Sequence, residues 1–289
     1  MLSILGDGER SGTGERRRLS ITGDRRGDKK FIMLMLVFLT ACGCCLFSPL
    51  IAVGNVFTHG ASDFRNQCDS AIGPDPSSTA TTSPARTSEP EVTQSALPST
   101  NPYSSMTIDA QDRNISDRYR ACVSALRSAP YQRPGAVRTP NSGTAAACAQ
   151  HLAFRYLDES SGDSAALARD VIYAASTAAL TGQCTPAAAP AGSDTVPGGC
   201  GDPDGPRRAV VLPETAGRQG YCGQQVTPTA ATAGDLIFWD YRENAATRVG
   251  IAVGAGEMVT GGLGDGRFFR APIPATDDVR IKRVLGGEL

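Results

Sequence analysis

The side chains able to do covalent chemistry in this 289-residue chain are unevenly supplied, with nine Cys but only two His, His59 and His151. A thiol becomes a strong nucleophile when a neighbouring base draws off its proton, and imidazole is the usual base near neutral pH. One pair has suitable spacing. Cys148 and His151 stand three residues apart in a stretch of helical periodicity, so they can share a helix face and serve as an alternative nucleophile and base. The competing reading is a Cys148 that is buried or tied into a disulfide beside a surface His151. Metal chemistry is poorly provided for, because no CxxC pair and no Cys–His finger spacing occurs. No metal and no cofactor is expected. With 28 Lys+Arg against 29 Asp+Glu the charge is balanced, which argues against the basic face of a nucleic-acid binder.

The elements that must position such groups fall into segments of different composition. Residues 1–30 hold eight Arg/Lys and five Asp/Glu, and read as a basic cytoplasmic tail. No charged residue follows from Phe31 to Ser62, and a bilayer core needs about 20 apolar residues, so 31–53 is expected to be a transmembrane helix. Its basic flank, Arg25 to Lys30, places the N-terminus inside and the remainder of the chain outside. Leu39 to Gly43, LTACG, also resembles a lipobox that would anchor the chain by a lipid on Cys42, and a cleaved secretory signal is a third possibility. All three export the C-terminal part. Residues 54–106 are expected as an extracytoplasmic linker, because Gly73 to Ser105 is mostly Ser, Thr and Pro and cannot bury enough surface to offset its ordering entropy. Extended at ~3 Å per residue, that stretch reaches on the order of 100 Å.

The folded part is expected over 107–289. Apolar residues recur at helical spacing from Ile108 to Leu126, a second helix is expected from Thr144 to about Tyr156 with Ser142 or Thr144 as cap, and a third from near Asp163 to about Leu180. Residues 182–206 form a Gly/Pro/Ala insertion too long for an ordinary connection. Strands are expected at Leu236–Trp239, Arg248–Val253, Glu257–Thr260, Phe268–Pro272 and Val279–Val284. GGLGDG, from Gly261 to Gly266, lies between two of them without a following helix and reads as a hairpin turn rather than a phosphate loop. Helices first, then an antiparallel meander, argue an α+β fold with N-terminal helices packed on an antiparallel sheet. Outside the apolar span, six Cys remain, an even number that suits disulfides in an oxidising exterior. The sequence does not choose among their pairings; Cys122 with Cys148 and Cys184 with Cys200 are the pairs offered.

The strand run ATAGDLIFWDYRENAATRVGIAVGAGEMVTGG resembles the second half of the NlpC-type, papain-like cysteine peptidases of bacterial cell walls. Gly234 to Phe238 resembles that family's PGDLVFF block. Val249-Gly250-Ile251, Val253-Gly254, Gly256 and Met258-Val259 resemble its HVGIYVG-x-G-x-MIHA block. Upstream, Val211 to Val226 is similar to LPRTS-x-EQ-x-x-x-G-x-x-V, and residues around the second and third helices resemble the block that carries the nucleophile. The resemblance covers 144–289 and is interrupted by the insertion.

The resemblance implies a Cys at a helix N-terminus, a His as base and a third polar residue to orient the ring. Position by position these fall on Ser164, Arg248 and Thr260, so the catalytic Cys and His are both replaced. A guanidinium stays protonated up to a pH of about 12 and takes no proton from a nucleophile. Losing nucleophile or base from a hydrolytic triad costs on the order of 10⁶ in turnover. A pseudoenzyme follows as the expectation, with Tyr156, Asp163 and Arg248 left to bind a peptidoglycan stem peptide through charge-assisted hydrogen bonds. The topology of tail, span and exported domain adds a possible place in an envelope-spanning complex. The enzyme alternative is a cysteine peptidase that uses Cys148 and His151.

Overall fold

The computed structural model describes residues 61–77, 98, 100–109, 111–157, 162–191, 200–201, 203, 207–261 and 266–287. The chain divides into Met1–Val56 and Phe57–Leu289, and every described residue belongs to the second unit. The expected tail, the span 31–53 and Cys42 lie outside the described residues. Among the described residues no helix is long and apolar enough to cross a membrane.

Among the described residues five α-helices precede a six-stranded sheet. Residues 61–72 are helical (α1). They are followed by α2 (Asp117–Leu126), α3 (Thr144–Tyr156), α4 (Ser164–Thr181) and the single turn α5 (Ala216–Gln219). The strands are β1 (Gln224–Gln225), β2 (Leu236–Arg242), β3 (Ala245–Gly254), β4 (Glu257–Gly261), β5 (Phe268–Pro272) and β6 (Arg280–Arg283). Their order is β1-β6-β2-β3-β4-β5, with every pair antiparallel. The meander β2 to β5 is the expected one; β6 then returns to the free edge of β2.

The run Leu236–Trp239 is apolar at every position because both faces of the sheet are covered. Leu236 and Phe238 pack with Val249 and Ile251 against α3 and α4. Ile237 packs with Ala252, Met258 and Ile281 on the opposite face. Alanines make the close approach of α3 and α4 possible, since Ala145, Ala149 and Ala153 recur every fourth residue on α3 and meet Ala168, Ala175 and Ala178 of α4 in one cluster. Asp163 caps α4 by accepting from the Ala165 N–H, and Gly182 ends it in a left-handed conformation.

Several expectations are corrected. The helix expected from Ile108 begins only at Asp117, because the Ser116 hydroxyl accepts from the Tyr119 N–H and sets the N-terminus there. Gly143 is the N-cap of α3 and makes no side-chain cap bond, in place of Ser142 or Thr144. The segment 54–106 is not linker throughout: α1 lies within it and is joined to α2 by the disulfide Cys68–Cys122. The other bonds are Cys148–Cys184 and Cys200–Cys222, so neither offered pairing forms. Cys68 was the missing partner, since it lies in a helix the composition of the following Ser/Thr/Pro stretch obscured. The last two bonds pin the insertion 182–206 to α3 and to the turn before β1.

Beneath the sheet lies a buried ion pair. Asp235, immediately before β2, accepts from Arg283 Nε at 2.8 Å and Nη2 at 2.9 Å, with the side chains 0% and 5% exposed. Arg283 also donates to the carbonyls of Thr139 and Ala230, and Asp235 accepts from the Thr232 N–H. Lys282, beside it on β6, is fully buried and donates to the Ser70 hydroxyl of α1. Burial, with a smaller push from Arg280, brings the Lys282 ammonium down to about 7.

Candidate functional site

The N-terminus of α4 must approach the sheet closely for its first residues to share a cleft with β3. Gly261, at the end of β4, permits this. A Cβ there would stand 3.3 Å from the Gly162 carbonyl oxygen, a tight contact, and 3.4 Å from the Ser164 backbone nitrogen. From the other side, buried Gln219 of α5 donates to the carbonyls of Ala165 and Pro213, both at 2.8 Å, and ties α5 to the first turn of α4.

A cleft of about 280 Å³ opens at this junction. Its helical wall is Gly162, Asp163 and Ser164, with Gly261 at its base. Its opposite wall is the β2–β3 hairpin, which supplies Asp240, Arg242, Thr247 and Arg248. The hairpin wall is shaped by backbone as much as by side chains. Asp240 has φ of 54°, and Glu243 and Asn244 at the tip have φ of 51° and 62°, the left-handed pair that a tight two-residue hairpin turn needs.

The electrostatics of the cleft are mixed. The Asp240 carboxylate accepts from the Thr247 hydroxyl at 2.9 Å and from Arg242 Nε and Nη2 at 3.3 Å each. The Thr247 bond holds this carboxyl below the usual range; desolvation, the next largest effect, opposes it, and the Arg242 bonds and the charges of Arg242 and Arg248 add to the lowering. Asp240 is therefore a weak base. The positive, N-terminal end of the 18-residue α4 lines the cleft together with two arginines. An arrangement of this kind can bind carboxylates through Arg248 and Arg242, and ammonium groups through Asp163 and Asp240. Among the described residues the cleft holds no thiol and no imidazole. No group of three or more potential metal ligands occurs among the described residues.

Of the residues singled out from the sequence, Asp163, Ser164 and Arg248 come together in this cleft. Thr260 does not line it. The residue is 2% exposed, and its hydroxyl donates to the Val249 carbonyl at 2.8 Å. Tyr156 packs edge-on against Phe268, ring centroids 6.0 Å apart, and is not a cleft residue either. Cys148 forms a disulfide with Cys184, so it carries no free thiol, and His151 is exposed on α3 outside the cleft. The pairing of Cys148 with His151 as nucleophile and base is overturned by that bond. The described residues of the insertion 182–206 do not line the cleft. Sequence reasoning passed over Asp240, Arg242 and Thr247, which sit where strand alternation breaks. Three charges within Asp240–Glu243, next to an Asn, were the available signal.

No curated protein is matched. Among solved structures, an NlpC/P60 family protein from Bacillus cereus ATCC 10987 is similar at 20% identity, with a TM-score of 0.25, over 27% of this chain and 27% of that one. The peptidoglycan hydrolase RipB from Mycobacterium tuberculosis is similar at 18% identity and a TM-score of 0.28, over 50% of this chain and 68% of that one. A variant of the Resuscitation Promoting Factor Interacting protein RipA is similar at 14% identity and a TM-score of 0.30, over 54% of this chain and 76% of that one. The NlpC/P60 family model matches residues 207–276, a segment that runs from before α5 to just past β5 and leaves α1 to α4 and β6 outside it.

Proposed function

We propose that this is an exported protein whose NlpC-like domain binds a peptidoglycan stem peptide without cleaving it. The observation that supports this reading most directly is the cleft itself. Ser164 and Arg248 both line it, and it contains neither thiol nor imidazole among its described residues. Among the described cleft residues a Ser hydroxyl at the start of α4 has no effective base to activate it, because Arg248 can only donate and the lowered carboxyl of Asp240 is a weak proton acceptor. The same guanidinium suits a carboxylate-bearing peptide, which it would hold by charge-assisted hydrogen bonds worth about 1.5–3 kcal/mol. In this reading residues 31–53 anchor the protein in the membrane with the N-terminus inside, or a lipid on Cys42 does so, and the domain acts as a wall-binding or scaffold module of an envelope complex.

The test uses the full chain in detergent, incubated with purified peptidoglycan. Wild type should be retained, Arg248→Ala should weaken retention by about tenfold or more, and neither should clear peptidoglycan in a zymogram. Absence of retention, retention indifferent to Arg248→Ala, or clearing by the pure protein each overturns the reading.

A further inference from the structure

The hairpin that forms half of the cleft is gripped at its far end from two sides, and one of the two grips comes from parts of the chain outside the family match. On one side α5 supports it, for a Cβ on Gly217 would stand 2.9 Å from the Ala245 Cβ. On the other side stands Arg118 of α2. Its Nη2 donates to the Asp69 carboxylate of α1 at 2.9 Å and to the Gly73 carbonyl at 2.6 Å. Its Nη1 reaches Asn244 Oδ1 at the hairpin tip, at 3.4 Å. The guanidinium is 18% exposed in the bond to Asp69, and Asp75 lies 3.7 Å from its Nε. Behind this contact the chain leaves α1 through Gly73, at φ of 83°. A Cβ there would come 2.3 Å from the half-buried ring of Tyr241, so only glycine lets the backbone lie against β2. Cys122 is one helical turn beyond Arg118 and is disulfide-bonded to Cys68, next to Asp69. A covalent bond and a planar fork thus hold the same two helices, and the fork alone extends to the hairpin.

We propose that α1, α2 and residues 73–77 form a brace in which Arg118 is a positioning residue for the cleft, holding the β2–β3 hairpin where Arg242 and Arg248 face α4. Its consequence for ligand capture rests on the reading of the cleft given above; the positioning does not. A lysine cannot replace it, because one ammonium lacks the planar fork that serves Asp69, Gly73 and Asn244 together.

Hydrogen exchange on the full chain tests the brace. In Arg118→Ala, and in Arg118→Lys, amides of 240–248 should exchange about tenfold faster while those of 236–238 and β6 keep their protection. Unchanged exchange at 240–248 in the folded variant, full recovery in the lysine variant, or a rise spread evenly through the sheet overturns the proposal. If Arg118→Ala does not fold, Asn244→Gly decides. It removes one contact at a φ that glycine accepts, and should loosen 240–248 more than the control Glu243→Gly at the neighbouring left-handed position. Equal effects of the two overturn the proposal. Binding of soluble stem peptide gives the second readout, with affinity about three- to tenfold weaker in Arg118→Ala. If wild type binds nothing, the reading of the cleft fails and exchange still decides the brace. If wild type and Arg118→Ala bind alike, the positioning role is rejected.

Discussion

Asp235 precedes β2 and Asp240 lies within it, each beside an arginine, and the two pairs differ in almost everything that follows. Asp235 meets Arg283 with both side chains buried and two direct bonds under 3 Å, and Arg283 donates further to the carbonyls of Thr139 and Ala230. Asp240 meets Arg242 at 3.3 Å with side chains 38% and 74% exposed, in the wall of an open cleft. A charge pair out of water persists only when every lone pair and proton is satisfied, and removing one member strands the other. An exposed pair is screened, contributes little to stability, and stays available to exchange partners with a ligand. The aspartate in the Gly-Asp-Leu block is thus a fold element, whereas the one that follows Trp239 belongs to the cleft.

This contrast can be broken in graded ways. Asp235→Ala should be the most damaging single change, at about 3–5 kcal/mol, because it leaves Arg283 buried and unpaired. A denaturant midpoint close to wild type would place the pair on the exposed side of the comparison. Cys148→Ser opens a bond that spans 36 residues, and should lower stability by about 2–4 kcal/mol in non-reducing buffer. It should leave peptide retention unchanged, and loss of retention without loss of stability would return Cys148 to the site.

Lys282 sharpens the comparison, as a buried cation paired with a hydroxyl instead of a carboxylate. Its folded value, about 7, lies below its unfolded value of 10.5, so between those limits the unfolded chain binds more protons and stability rises with pH. From pH 7 to pH 9 the gain should be on the order of 2 kcal/mol, read from urea midpoints, and Lys282→Met should flatten that slope. A slope that survives in the methionine variant assigns it to another group. The smallest effect belongs to the cleft. Thr247→Val removes the main hydrogen bond to Asp240. Its carboxyl should titrate higher by NMR, while stability shifts by less than about 0.5 kcal/mol. A larger loss of stability would make the hairpin wall structural.

The strands were readable in advance because Leu236–Trp239 and Arg248–Val253 announce themselves locally, through dense β-branched and aromatic residues bounded by glycine. Helices α3 and α4 were equally plain: the expected spans, Thr144 to about Tyr156 and near Asp163 to about Leu180, differ little from Thr144–Tyr156 and Ser164–Thr181. Helix α1 was hidden, since twelve helical residues with few large apolar groups precede a Ser/Thr/Pro stretch and are stabilised chiefly by what they dock against. The cap at Ser116 was present in the sequence, but the apolar spacing that runs back to Ile108 outweighed it.

Residue types alone set the chemistry open to this chain. With two His and Arg at 248, an imidazole in the strand half was excluded whatever the fold. Pairing partners were a different matter, because a cysteine, a buried lysine or an arginine fork is matched by proximity in space, and proximity between residues 54 or 126 positions apart comes from packing that no local pattern encodes. Tertiary structure therefore decided that Cys68 bonds Cys122, that Cys148 is not a nucleophile, that Thr260 turns inward, and that Asp240, Arg242 and Thr247 join Ser164 and Arg248 at one cleft.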